Sequence, residues 1–75
     1  MTIKDTIRKY TNELKQVTHI PAKEVEILML HLLGKNTIWL HLNYNEEFTK
    51  EKELEVLVKK RATNYPIEYI INKAS

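Results

Sequence analysis

The 75-residue chain has no cysteine, one glycine and two prolines. Without cysteine there is no disulfide framework and no thiolate metal site to support a small fold, and the absence fits a reducing compartment. A single glycine rules out a Gly-rich phosphate loop, and the scarcity of glycine and proline argues against β-hairpins and low-complexity linkers. Long apolar runs are missing too. The longest, Ile27 to Leu30, is far short of the roughly 18 residues a membrane span requires. Lys4, Asp5, Arg8 and Lys9 interrupt any signal-peptide core, so a cytoplasmic protein with no membrane partner is expected. Charge of one sign is also lacking. Twelve basic against ten acidic residues leave a net +2, too mild for the basic patch that marks most nucleic-acid binders.

What the chain does have is helical periodicity. The stretch Val25–Gly34, VEILMLHLLG, places Val25, Leu28, Met29, Leu32 and Leu33 on one broad arc, with Ile27 and Leu30 among the polar positions. A helix apolar on most sides is buried by several neighbours, so this segment is expected to be the centre of a bundle. Pro21 suits its first position and Gly34 its left-handed end. Before it, Ile3, Ile7, Tyr10, Leu14 and Val17 form one narrow seam behind a Thr2 cap, the pattern of a surface helix. Asp5 and Lys9 are spaced for an i, i+4 ion pair. After it, Asn36 or Thr37 caps a short helix over Ile38–Leu42, and Asn43-Tyr44-Asn45 reads as a turn. Thr49 is the expected cap of a fourth helix, with Leu54, Leu57, Val58 and Ala62 facing inward, Val56 facing out, and a Glu55–Lys59 pair. Asn64 ends it, Pro66 starts a last turn over Ile67–Ile71, and Asn72 closes that turn. The expected fold is all-α: one domain, residues 1–75, of four to five short helices around the central apolar one. No strand pattern appears.

Chemistry is sparse. His19, His31 and His41 lie in separate segments with no H-x-x-x-H or H-x-x-E spacing, so no metal site is expected. The carboxylates lie on helix faces and first turns, without an acid/base pair, and no catalytic residue is assigned. Lys59-Lys60-Arg61 complements the C-terminal end of its helix and is also the densest basic footprint for an acidic partner. Trp39 and Tyr44 either cover the core edge or form an interaction hot spot. A helix-turn-helix through Gly34-Lys35-Asn36 has the right turn, but TIWLHL carries no Arg, Gln or Asn to read base edges.

Three stretches together resemble one family. EVEILMLHLLGK resembles its (D/E)-A-E-x-L-L-x-x-x-x-G segment. NTIWLHLNYNEEFTKE resembles its short helix, turn and capped helix, and KKRATNYPIEYIINK its R-R-x-x-G-x-P-x-x-Y-(I/L)-x-G signature. The family is the HemK/PrmC release-factor glutamine methyltransferases, and residues 22–73 are similar to its N-terminal helical domain. Here Lys60 stands for the first arginine, Val25 for the small alanine, Asn64 and Tyr65 for the glycine and acidic residue, and Asn72 for the last glycine. Asparagine tolerates the left-handed conformation that glycine supplies. The resemblance implies a larger parent enzyme whose Rossmann-like domain, absent from this chain, binds S-adenosylmethionine and methylates the Gly-Gly-Gln glutamine of peptide-chain release factors. It implies as partners a release factor and the enzyme's own C-terminal domain. Neither the Gly-rich loop nor the Asn-Pro-Pro-Tyr motif of that domain occurs here. Trp39, Lys60 and Arg61 are then the expected contact residues, with Pro66 and Tyr69 fixing the exit toward the linker. A stand-alone helical interaction or weak nucleic-acid-binding module, resting on Lys59–Arg61, is the alternative.

Overall fold

In the computed structural model, which describes residues 1–71, the chain forms five helices: α1 (Ile3–Leu14), α2 (Pro21–Leu33), α3 (Thr37–Leu42), α4 (Glu51–Ala62) and α5 (Ile67–Ile71). Asn72 lies outside the described residues.

The first helix begins where its three unpaired amide donors find partners. Thr2 is extended, with ψ 163°, and its Oγ1 accepts from the Asp5 amide at 3.1 Å. The Ile3 and Lys4 amides donate to the carbonyls of Glu46 and Tyr44 at 2.9 and 3.0 Å, and Phe48 donates to Met1 at 2.9 Å. Segment 44–48 therefore acts as a strap across the α1 N-terminus, closing donors that would otherwise need water. Its isolated antiparallel bridge, Thr2 to Glu47, is not a strand. The strap also carries Phe48 into the core, a burial that helical periodicity does not signal.

The seam of α1 faces inward as expected, with Ile3, Ile7, Tyr10 and Leu14 buried and Val17 partly covered beyond the helix end. Pro21 opens α2, and Gly34 ends it at φ 66° with its amide on the Leu30 carbonyl at 2.8 Å. Val25, Leu28 and Met29 are fully buried, while Ile27, Leu30, Leu32 and Leu33 are half-buried. The apolar arc thus divides into a sealed N-terminal half and a more open C-terminal half. As a central helix should, α2 packs on α1, α4 and α5, and α1 also packs on α4.

Asn36 Oδ1 caps α3 by accepting from the Trp39 amide at 2.9 Å. At α4 the expectation fails: the cap is Lys50, not Thr49, and no side chain bonds the first turn. The first helical bond runs from the Leu54 amide to the Lys50 carbonyl, one residue later than a Thr49 cap requires, and a lysine side chain has no acceptor. Glu51 and Glu53 in the first turn and Lys59, Lys60 and Arg61 in the last still complement the helix dipole. Leu54 and Val58 are buried, Leu57 and Ala62 half-buried and Val56 exposed. Asn64 follows the helix at φ 69°, in the conformation for which glycine or asparagine is suited. Pro66 then precedes α5, whose Ile70 is buried.

Candidate recognition surfaces

Three sets of polar side chains stand out, and they have different jobs. The first is a clamp. Arg61 Nε donates to Glu24 Oε1 at 2.7 Å and Arg61 Nη2 reaches Oε2 at 3.5 Å, while Thr18 Oγ1 donates to the same Oε2 at 2.9 Å. The Thr18 hydroxyl also accepts from the Ile20 amide at 3.2 Å. Both charged side chains are largely enclosed, Arg61 at 13% and Glu24 at 8% exposure. The clamp ties the end of α4 to the first turn of α2 and to the loop before it. Arg61 is therefore not a free contact for a partner, because its guanidinium is committed inside the domain.

The second set lies where α1 meets the start of α4. Glu51 Oε2 accepts from Lys9 Nζ at 2.7 Å and from the Tyr10 hydroxyl at 3.0 Å. Those hydrogen bonds, Lys9 first, hold the Glu51 carboxyl below its ordinary pKa. Burial, and then the bond to Glu51, pushes the Tyr10 phenol up. Lys9 thus leaves the expected Asp5 pairing for a longer-range partner, since a surface i, i+4 pair contributes only about 0.2–0.5 kcal/mol. The Glu55–Lys59 pair forms as the spacing suggested, at 3.5 Å.

The third set surrounds the chain's exit. Lys60 Nζ lies 4.6 Å from the Tyr65 ring centroid, and Tyr65 meets Tyr69 edge-on at 6.0 Å. Tyr69 is 63% exposed, and its amide donates to the Pro66 carbonyl at 3.1 Å. Lys60, Pro66 and Tyr69 are brought together here, joined by Tyr65, which stands at the signature's acidic position and to which the sequence assigns no contact role. Trp39 stands apart on α3, half-buried against the core, with Lys35 Nζ 5.7 Å from its ring.

A groove of about 710 Å³ opens on the side of the molecule formed by α1, the start of α2 and the end of α3. Ile7, Ala22 and Leu42 supply apolar lining; Lys4 and Arg8 of α1 and Lys15 at its C-cap line it as well. His41 packs edge-on against Tyr44 at 5.4 Å beside it. Burial, with the nearby Glu26 carboxylate, raises the Tyr44 phenol. Sequence reasoning passed over this groove. The available signal was the outward face of α1, where cations recur at positions 4, 8 and 15. No group of three or more His, Cys, Asp or Glu side chains is arranged to hold a metal among the described residues.

Comparison with protein families matches residues 5–71 to the PrmC N-terminal domain. The chain belongs to that family. No curated protein and no solved structure matches it. In the stretches that carry the resemblance, Glu24 stands at the (D/E) position of the first and Arg61 at the second arginine of the third, and here the two form one ion pair. Asn64, at the signature's glycine, adopts the left-handed conformation that a glycine there would serve. Val25, at the family's small position, is wholly buried.

Proposed function

We propose that this chain is the recognition and positioning module of a HemK/PrmC-like protein-glutamine methyltransferase. It holds a peptide-chain release factor so that the Gly-Gly-Gln glutamine reaches a methyl donor carried by a separate catalytic domain. The observation that carries this reading is the family match over residues 5–71. The proposal places the module in the cytoplasm with translation. Positioning alone contributes several kcal/mol to a transfer reaction, since about 7–11 kcal/mol of a barrier can come from pre-set orientation.

S-adenosylmethionine belongs to the catalytic domain in this reading. Residues of this chain do not fit it: Gly34, the single glycine, caps a helix with its amide on the Leu30 carbonyl and forms no Gly-rich loop. The exit cluster of Lys60, Tyr65, Pro66 and Tyr69 is assigned to the contact with that domain, because it adjoins the end of α5. Release-factor binding is tested by titrating the isotope-labelled chain with the factor and following amide shifts. Saturable shifts support recognition. Their absence at high concentration, with methylation by a fused catalytic domain unchanged on removing the module, counts against both recognition and positioning.

A further inference from the structure

The groove between α1, α2 and α3 has the composition of a peptide-docking site. Lys4 and Arg8 of α1 and Lys15, its C-cap, lie along one edge, with eleven residue steps from first to last, or roughly 16 Å at the helical rise. None of the three has an ion-pair partner among the described residues. A row of this length suits a polypeptide segment rather than a single anion. Beside it the apolar surface is unusually open: Leu42 is 80% exposed and Ile38, one turn earlier on α3, is 71% exposed. The two side chains, one turn apart, form a continuous apolar strip beside the cationic row, and apolar surface rimmed by charge is what interaction sites present.

The geometry points to an acidic amphipathic segment of a partner protein as the occupant, its carboxylates along Lys4, Arg8 and Lys15 and its apolar side chains on Leu42 and Ile38. Charge complementarity selects this chemistry. A nucleic-acid backbone offers phosphates for the cations but nothing for the apolar strip, whereas an amphipathic segment can turn its carboxylates to the cationic edge and its apolar face to Leu42, away from Glu26. An apolar membrane-like or purely hydrophobic partner would leave the cationic edge unanswered. The inference rests on the recognition reading above and adds where the contact is made: on α1 and α3, away from the exit cluster.

The test is titration of the isotope-labelled 75-residue chain with a peptide-chain release factor, read by amide shifts and by calorimetry. Shifts centred on Lys4, Arg8, Lys15, Leu42 and Tyr44 are expected. Arg8→Glu with Lys15→Glu weakens binding by about tenfold at low salt, with the difference shrinking toward high salt as screening grows. Leu42→Ser weakens it with little salt dependence, whereas Val56→Ser, an exposed apolar site on α4, leaves it unchanged. All four positions are exposed, and an unaltered circular dichroism spectrum checks that the fold is kept. Saturable shifts confined to Tyr65 and Tyr69 overturn the groove while leaving recognition intact. No shift anywhere overturns recognition itself and this inference with it. Groove shifts that appear on concentrating the chain alone identify a second copy as the occupant, and tighter groove binding of RNA than of the factor identifies a nucleic acid; either result overturns the proposal.

Discussion

Removing the Arg61 guanidinium should cost this domain a large part of its stability. With Glu24 at 8% and Arg61 at 13% side-chain exposure, little water reaches either group, so Arg61→Met leaves a carboxylate held by one hydroxyl, that of Thr18. Breaking a buried pair from one side costs about 3–5 kcal/mol. One of the two Arg61 contacts is long at 3.5 Å, so the lower figure, about 3 kcal/mol, is the expectation. Native domains of this size hold about 4–11 kcal/mol in total. The variant should therefore melt about 12–24 °C lower, at about 4–8 °C per kcal/mol for a domain this small. Urea unfolding followed by far-ultraviolet circular dichroism gives the difference directly, provided the slope is unchanged. Glu24→Leu combined with Arg61→Met should recover most of the loss, because no buried charge is then left unpaired. A loss below about 1 kcal/mol, the range of an exposed pair, would refute the claim that the clamp is sealed. So would a double variant as unstable as the single one.

Four further outcomes follow from the same geometry. Glu51 contributes stability that is present above its ordinary pKa and lost as pH falls through the depressed folded-state value. The urea-midpoint gap between the native chain and Glu51→Gln should hold from about pH 8 down to 5 and close below about 4; a gap still open at the acid extreme contradicts the assignment. Gly34→Ala has room for the methyl group, with nothing within 4 Å, so its cost is the left-handed backbone alone, about 1 kcal/mol in chemical denaturation. Asn36→Ala removes the acceptor for the Trp39 amide and should cost about 1 kcal/mol, with amide exchange faster in α3 than in α1. Val25→Ala deletes two methyl groups from a wholly buried site and should lose about 2 kcal/mol, two-thirds or more of it transfer free energy; a gain would mean that the valine crowds the helices.

Most of the helical frame was legible because its determinants are local. The α1 seam, the Pro21 start, the Gly34 end and the Asn36 cap each depend on residues within one or two turns, and all four hold. What failed depends on residues distant in sequence. The cap moved from Thr49 to Lys50 because segment 44–48 is drawn back across α1 by the Ile3, Lys4 and Phe48 hydrogen bonds. Lys9 turned from Asp5 to Glu51 because packing of α1 on α4 brings a second acceptor within 2.7 Å. Phe48 drew no assignment from the sequence, because periodicity says nothing about a single residue folded under a strap. Arg61 read as a surface cation because the cluster Lys59-Lys60-Arg61 is uniform in sequence; only the approach of α2 separates the enclosed arginine from the half-covered Lys60 and the exposed Lys59.

That separation bears on where function is sought in this family. Arg61 and Glu24 are among the positions that make the chain recognisable, and their polar atoms face each other. Asn64 supplies a backbone conformation, and Pro66 leads into α5. Each has a sufficient reason to be present in the folding of the module, and Arg61 and Glu24 have almost no surface left to offer. A contact with a protein partner needs side chains that are exposed and not already paired. Most of those lie off the signature, on the outer edge of α1 and on the Ile38–Leu42 strip of α3; within it, Tyr69 is exposed. Lys60 is the signature position placed between the two roles, stacked on Tyr65 yet only half-covered. Substituting the signature therefore tests the frame, and substituting α1 and α3 tests the recognition. A loss of binding from Arg61→Met must be read beside its loss of fold, whereas a loss from Arg8→Glu or Leu42→Ser with the fold intact speaks for contact.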